Sequence, residues 1–535
     1  MAKIHQRPDA TQAQRTDADQ KQPYGSTPDF QLRDYQEQAV AAVLSKWESF
    51  DRLLGVAPTG SGKTVIFGHV AQERIHAGPV LVLAHREELI LQAADKIARV
   101  TGLSADLEQA ENRADLRSDI IVASVQTLSR RNRLERFPQD HFSTVVVDEA
   151  HHTLADSYLR ILTHFEAAKV LGVSATPDRG DRRSLSRYYE DIAFEISLTD
   201  LIRVGWLCPI KVKTVPLPID ISRVAMRAGD YSDEELATAL EPVLEQLAQA
   251  VKEHAAERKS LVFLPLVRTA YQFSEILRSN GLSAEAIHGE SALRKEILVR
   301  FESGQTQILC NAMLLTEGYD CPSIDCVVCL RPTTIRSLFA QQVGRGTRIY
   351  PGKQYLLLLD FLWLSREHNL VRSAALIAKD EVQQSEIEAQ LERADGDLLE
   401  AEGLASAERE AVLKARLDER RHEKGNEVDL LELASRWHAP DLLNYSPTFQ
   451  WERAEPTAKQ INILRRNGVD LSLVRDRGHA AALISALFAH LETVPATEKQ
   501  KRYLRFLGHP NPWQLTKREA GRWIEQRKAR LSGAY

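Results

Sequence analysis

The segment APTGSGKT, Ala57–Thr64, departs by one residue from the phosphate-binding pattern G-x-x-x-x-G-K-[ST]: Ala57 stands where the pattern has its first glycine. Its flanks have the order the pattern needs. LLGVA before it reads as a strand, and KTVIFGHVAQERI after it reads as a helix. In that setting Gly60 and Gly62 let backbone N–H groups close around phosphate oxygens, and the helix behind presents its positive dipole end to them. Thr59 and Ser61 complete the loop, Lys63 reaches the β and γ phosphates, and Thr64 places its hydroxyl on Mg²⁺. Ala57 needs only a conformation that tolerates a Cβ, so losing the first glycine does not by itself break the cradle. The expected cofactors are ATP and Mg²⁺.

Working outward, short aliphatic runs (VLVLA, IIVAS, STVVVD, VLGVSAT) alternate with charge-studded helical segments from Leu32 to about Ala175. Buried parallel strands read this way. A second set follows: SLVFLPL, SAEAIHG, TQILCNAML, DCVVCLRP and YLLLLD. The predicted fold class is α/β, two lobes in tandem with a cleft between them, joined by a bridge from roughly Arg179 to Lys259. In VVVDEAHH, Val145–His152, an apolar strand ends in Asp148-Glu149. A carboxylate pair at a strand's C-terminal end, beside the loop, suits a Mg²⁺–nucleotide partner. Asp148 would hold the metal through water, and Glu149 would orient or deprotonate the attacking water.

The bulk properties narrow the field. A formal net charge of −5 over 535 residues excludes whole-chain basicity, so any nucleic-acid site must be a local patch. No run of 18 apolar residues predicts a membrane span. The first 28 residues lack the apolar core of a secretory signal and read as a disordered arm. Five cysteines in so long a chain point to a reducing, cytoplasmic setting without a disulfide framework. Cys321, Cys326 and Cys329 have a zinc-like spacing, with Cys310 nearby. Cys326 and Cys329 sit in the apolar run CVVCL, however, where alternation sends them to opposite faces. Core cysteines are expected, and no zinc.

APTGSGKT together with DEAHH resembles the superfamily 2 helicases and translocases of the DExH type, in which alanine commonly stands at the position of Ala57. Other matches follow in that family's order over residues 30–375. LRDYQ, Leu32–Gln36, is similar to its adenine-reading segment, which implies Gln36 as the base contact and Arg33 as a neighbour. VLAHREEL and VASVQTL resemble backbone-contacting motifs and imply Arg86, Gln126 and Thr127 as nucleic-acid contacts. SATP, Ser174–Pro177, resembles the motif that relays nucleotide state, which implies coupling roles for Ser174, Thr176 and His151. ILCNAMLLTEGYD, Ile308–Asp320, implies Thr316 on nucleic acid and Gly318 and Asp320 at the nucleotide. QQVGRGTR, Gln341–Arg348, resembles the motif that supplies Gln341, Arg345 and Arg348 to the γ phosphate. Arg345 and Arg348, three apart, are expected on one face of a short helix. An arginine that reaches the phosphate only when the lobes close couples ATP state to movement. LLLLDFLWLSREHN, Leu356–Asn369, resembles the branch that holds XPB, RadD and the motor subunits of type III restriction enzymes.

The resemblance implies two RecA-like P-loop NTPase lobes, at 29–205 and 206–375. Past Ala378 the chain turns charged and rich in helix formers, predicting a helical connector over 376–450 that is partly solvated. Residues 451–535 hold a repeat that aligns without gaps at an offset of 40. Thr457, Lys459, Gln460, Leu464, Arg465 and Gly468 match Thr497, Lys499, Gln500, Leu504, Arg505 and Gly508. Each unit reads as a Thr-capped helix, a Gly-terminated turn and a second helix. The second unit is basic, and Lys499 and Arg502 are its candidate phosphate contacts. Tyr503, Phe506, Trp513 and Trp523 are expected chiefly as the core of that small module. Trp363 and Trp451 are expected at domain joints. DNA, whether duplex, junction or single-stranded, is the expected partner of an ATP-dependent motor serving repair, replication restart or defence. A nuclease set of metal-binding carboxylates and lysine is not found after Ala378. Three readings compete: translocation without unwinding, an ATP-gated binding subunit whose tail docks a protein partner, and an RNA helicase.

Overall fold

A computed structural model describes residues 31–85, 87–175, 184–227, 229–288, 293–312, 315, 319, 321–364, 370–423 and 430–532. Two wholly parallel sheets dominate it. The first is formed by β1 (Arg52–Val56), β2 (Val80–Ala84), β3 (Asp106–Glu108), β4 (Ile120–Ser124), β5 (Thr144–Asp148), β6 (Lys169–Ser174) and β7 (Asp191–Glu195). Their spatial order is β3-β4-β2-β5-β6-β1-β7. Side chains alternate into two cores: Leu53 and Val80 enter one, Leu54 and Leu81 the other. Both faces are therefore covered, which is why these strands are continuous aliphatic runs.

The chain then forms β8 (Ile210–Asp220) and a small hairpin, β9 (Met226–Arg227) and β10 (Asp230–Tyr231). β11 (Ser260–Phe263), β12 (Ala284–Ile287), β13 (Ile308–Asn311), β14 (Cys326–Cys329) and β15 (Leu356–Leu364) follow. The second sheet runs β12-β13-β11-β14-β15-β8. The two sheets and their flanking helices are the RecA-like pair that the sequence predicts. Cys326 lies in one core of this sheet and Cys329 in the other.

One expectation needs correction. The stretch from Arg179 to Lys259 is not a bridge. β7 closes the first sheet, and Leu198, Leu201 and Ile202 enter the core of the second lobe. β8 edges the second sheet, and helices Asp233–Leu240 and Leu244–Ala255 pack against it. The sequence hid β8 because IKVKTVPLPID alternates lysines with apolar residues, and its two prolines lack the N–H a central strand would use.

The start of the charged connector is partly solvated, with Glu381, Val382 and Ser385 exposed, but it also buries one stripe. Ile387, Ala394, Leu398, Ala401 and Ala405 are buried in the core that holds Ile210 and Leu356. Gly396, at φ +75°, presses its backbone onto β8: a Cβ there would sit 2.1 Å from the Val212 carbonyl, and Val212 N donates to Gly396 O at 2.7 Å. Sparse small apolar residues among charges mark a helix that buries a narrow stripe.

The tail repeat folds as two like units. Helix Ala458–Arg466 pairs with Arg477–Thr493, and helix Glu498–Phe506 with Lys517–Ser532. Thr457 with Gln460, and Thr497 with Gln500, form capping boxes. Gln460 Nε2 and Gln500 Nε2 then donate to the carbonyls of Arg477 and Lys517, both at 3.0 Å. Gly468 and Gly508 take positive φ after each first helix. Trp451 does pack a joint: its Nε1 donates to Asp191 Oδ1 at 3.2 Å, on β7. Trp363 instead packs inside the second lobe, on β15. Among the described residues, no helix is long and apolar enough to cross a membrane.

Candidate nucleotide site between the two sheets

β1 delivers the loop, and β6 lies between β1 and β5, so three strand ends meet at one place. Val56 is opposite Ser174, and Asp148 opposite Val173. Ala57 N donates to the Ser174 carbonyl at 3.0 Å, and its methyl group is fully buried in the core beneath. That position extends the strand without positive φ, so alanine serves where the general pattern has glycine. Gly60 and Gly62 do need their freedom, at φ +89° and +83°. A Cβ on Gly62 would lie 2.6 Å from Gln36 Nε2.

The loop is braced from outside. Tyr35 Oη and Gln36 Nε2 both donate to the Ser61 carbonyl, at 2.6 and 3.1 Å. Gln36 Oε1 accepts from Arg33 N, and the Arg33 guanidinium lies 4.2 Å from the centre of the Trp206 ring. Thus Arg33 and Gln36 stand beside the loop, and Gln36 is buried and bonded to it. The buried hydroxyls of Thr59 and Ser61 have no protein partner. With the Lys63 ammonium nearby, they fit a phosphate chain.

The cleft is lined from one side by Thr59, Gly60, Gly62, Lys63, Thr64, Asp148 and Glu149, and from the other by Arg345 and Arg348. Lys63 Nζ stands 3.8 Å from Glu149 Oε1, and His151 Nδ1 is 3.4 Å from Glu149 Oε2. Glu149 is held at φ +51°, a left-handed conformation uncommon for a residue with a side chain. Burial alone would raise its pKa. The Lys63, His151 and Arg345 charges outweigh that and hold the carboxylate well below its ordinary range. Thr64 and Asp148 both line this cleft beside the loop.

Arg345 and Arg348 reach this cleft by a route the sequence did not suggest. Helix Arg336–Gly344 stops short of them, so they occupy the turn behind it and not one face of a helix. Gly344 abuts Thr59 so closely that a Cβ would be 2.4 Å from the threonine's own. Arg345 Nη1 donates to the Tyr319 carbonyl at 2.9 Å. Gln341 is buried on that helix and does not line the cleft.

Lys353 was missed altogether. Its Nζ donates to the carbonyls of Gly346 and Arg348, at 2.5 and 2.9 Å, and to Pro322 and Ile324. It ties the arginine turn to the segment before β14. Burial lowers its pKa to about 8, with Cys208, Asp325 and Cys321 opposing the fall and Arg348 adding to it. Below that pH the full ammonium clamps the turn; above it a donor is lost. Between about 8 and the ordinary lysine value the unfolded chain binds more protons than the folded one, so folding stability rises with pH there. Turnover is therefore expected to fall above pH ~8 without unfolding, and Lys353→Arg is expected to remove that limb. Identical pH profiles for the two proteins would discount the clamp.

A line of rings leaves the site in the other direction. His151 packs on His152 at 4.0 Å between centroids, and His152 stacks on His85 at 5.1 Å. His85 Nδ1 is 3.1 Å from Gln126 Nε2. Gln126 is thus an exposed residue at the end of β4, joined to Glu149 through three imidazoles. Thr127 corrects its expectation: it is 5% exposed, and its hydroxyl accepts from Ala110 N, so its side chain supports a loop and does not face solvent. Ser174 is fully buried beside the loop. Arg86, Thr176, Thr316, Gly318 and Asp320 lie outside the described residues. In the tail, Lys499 and Arg502 are exposed on helix Glu498–Phe506 and are not among the residues that line this cleft.

Comparison with known proteins agrees with this architecture. Residues 29–179 match the family model of the type III restriction enzyme res subunit, and residues 242–350 match that of the helicase conserved C-terminal domain. IRC3 of Saccharomyces cerevisiae, by its name an ATP-dependent helicase, is 33% identical over 359 residues, covering 62% of this chain and 52% of that protein. A Schizosaccharomyces pombe protein, by its name a mitochondrial ATP-dependent helicase, is 32% identical, covering 62% and 57%. The chain spans little more than half the length of these relatives. Among solved structures, a fragment named as an HsdR subunit of a type I restriction enzyme from Vibrio vulnificus YJ016 superposes with a TM-score of 0.50 at 27% identity, over 64% of this chain and 65% of that one.

Proposed function

With both domains present in order, the chain belongs to the superfamily 2 helicases, in their type III restriction-like branch; from that premise we propose that it is an ATP-driven motor acting on DNA. The observation that carries the proposal is the split cleft: a phosphate cradle and Glu149 on one sheet, Arg345 and Arg348 on the other. ATP would lie between them, held by the loop amides and Lys63. Mg²⁺ supplies neutralisation of the β and γ phosphates when bound, with Thr64 and Asp148 as its protein anchors. Once Lys63 turns to the phosphates, Glu149 loses its main positive neighbour. Its pKa then rises toward the range in which it can draw a proton from water. Arg345 and Arg348 meet the charge that develops on the γ phosphate, so turnover depends on how the lobes are seated. Closing and reopening of two such lobes along a strand yields directed movement.

DNA is favoured by the branch of the family, and lobe grooves of this kind grip backbone without reading sequence. The proposal includes no nuclease step. Repair, replication restart or defence against foreign DNA is the proposed setting. The test is ATPase rate with single-stranded DNA, duplex DNA and RNA of equal length. Stimulation by either DNA above RNA is expected; stimulation by RNA alone would reassign the substrate.

The three-histidine line gives DNA at the β2 and β4 ends a route to Glu149. His85→Ala is accordingly expected to keep basal ATPase within about twofold while cutting DNA stimulation at least fivefold, the size of an ordinary coupling energy. Equal loss of both rates would place His85 in folding instead.

A further inference from the structure

The tail's two units share a fold, so the first serves as an internal reference for the second. On helix Glu498–Phe506, Lys499, Arg502, Tyr503 and Phe506 are spaced i, i+3, i+4, i+7 and form one stripe. All four are exposed, Phe506 by 82%. The rings of Tyr503 and Phe506 are nearly parallel, 19° apart. Trp513, in the following turn, is 55% exposed, with Lys501 Nζ 5.5 Å above its ring. These three aromatics were expected as core; only Trp523 packs there, with Leu504 and Ala520.

The first unit shows that the fold does not require them. Ile463 and Leu473 occupy the positions of Tyr503 and Trp513, and both pack into the core shared with Leu433 and Trp437. Arg466 stands at the position of Phe506. In the second unit the same face is exposed, and it is aromatic. Between Ala496 and Ser532 the chain carries ten lysines and arginines against three glutamates. Aliphatic residues would suit an apolar protein partner. Flat, exposed rings in line with cations suit a strand whose bases are unstacked and whose phosphates run alongside.

We infer that the Lys499–Arg502–Tyr503–Phe506 stripe with Trp513 is a binding platform for single-stranded DNA. This rests on the reading of the chain as a DNA motor, and it adds a second grip outside the lobes. The rings take bases, which a duplex hides, while Lys499 and Arg502 take phosphates, which both forms present. A tail of this kind would hold a separated or overhanging strand while the lobes step.

The test uses the full chain carrying Lys63→Ala, so that the tail is read without turnover. An oligothymidylate containing 5-iodouracil is cross-linked to it, and the adducts are mapped. Adducts at Tyr503, Phe506 or Trp513 are expected; adducts confined to the two lobes would overturn the platform. In anisotropy titrations, Phe506→Ala with Trp513→Ala is expected to weaken binding of the single strand about tenfold or more and leave the duplex unchanged. Equal loss for both, or loss for neither, would overturn it. Lys499→Ala with Arg502→Ala is expected to weaken both and flatten their salt dependence. Failure of the motor reading would show separately, as absence of DNA-stimulated ATPase in the wild-type chain.

Discussion

Lys63→Ala is expected to lower ATP turnover by about three orders of magnitude or more, with DNA present or absent. Lys63 opens the helix behind the loop, and its ammonium is the one loop charge that can follow the γ phosphate as it departs. Binding and chemistry should fail together, and a coupled-enzyme ATPase assay measures the result. Turnover within tenfold of the wild type would remove the loop from the catalytic site.

Arg348→Ala should give the second large effect, a fall of about a thousandfold in turnover while nucleotide binding stays close to that of the wild type. The two readings part because Arg348 belongs to the opposite lobe and meets charge that the ground state has not yet developed. Fluorescent nucleotide titration and single-turnover hydrolysis measure the two separately. The position of the arginines makes the effect sensitive to packing. They sit on a turn pressed against Thr59 by Gly344 and fastened by Lys353, so a shift of the lobes moves them as one piece. Unchanged hydrolysis in Arg348→Ala would leave Arg345 as the only candidate for this role.

These two predictions rest on residues legible in the sequence, because the features that mark them are local. The loop needs glycines at positive φ and a Lys-Thr pair at a helix start, all within eight residues. Asp148 and Glu149 are marked by the strand they end. The capping boxes at Thr457 and Thr497 are likewise complete within four residues each, so both tail units could be outlined from sequence. Other features depend on neighbours far along the chain. β7 and β8 are edge strands whose mixed patterns resemble surface. Lys353 is indistinguishable from any loop lysine until four carbonyls surround it. The helix that begins at Leu398 looks solvated until Gly396 seats it on β8. The histidine line joins His85 to His151 and His152 across 66 and 67 residues, with no periodicity to announce it.

The sequence alone determined the order of the strands' patterns, the phosphate cradle, the carboxylate pair and the duplication of the tail. All of these are set by backbone preferences and side-chain periodicity over a few consecutive residues. Only the tertiary structure decided which faces are covered. It turned Thr127 inward, brought Arg345 and Arg348 to the cleft on a turn, absorbed Ile387 to Ala405 into the second lobe, and left Phe506 bare where the first unit has its arginine. Burial is a property of what packs opposite a residue, and that partner can lie hundreds of positions away.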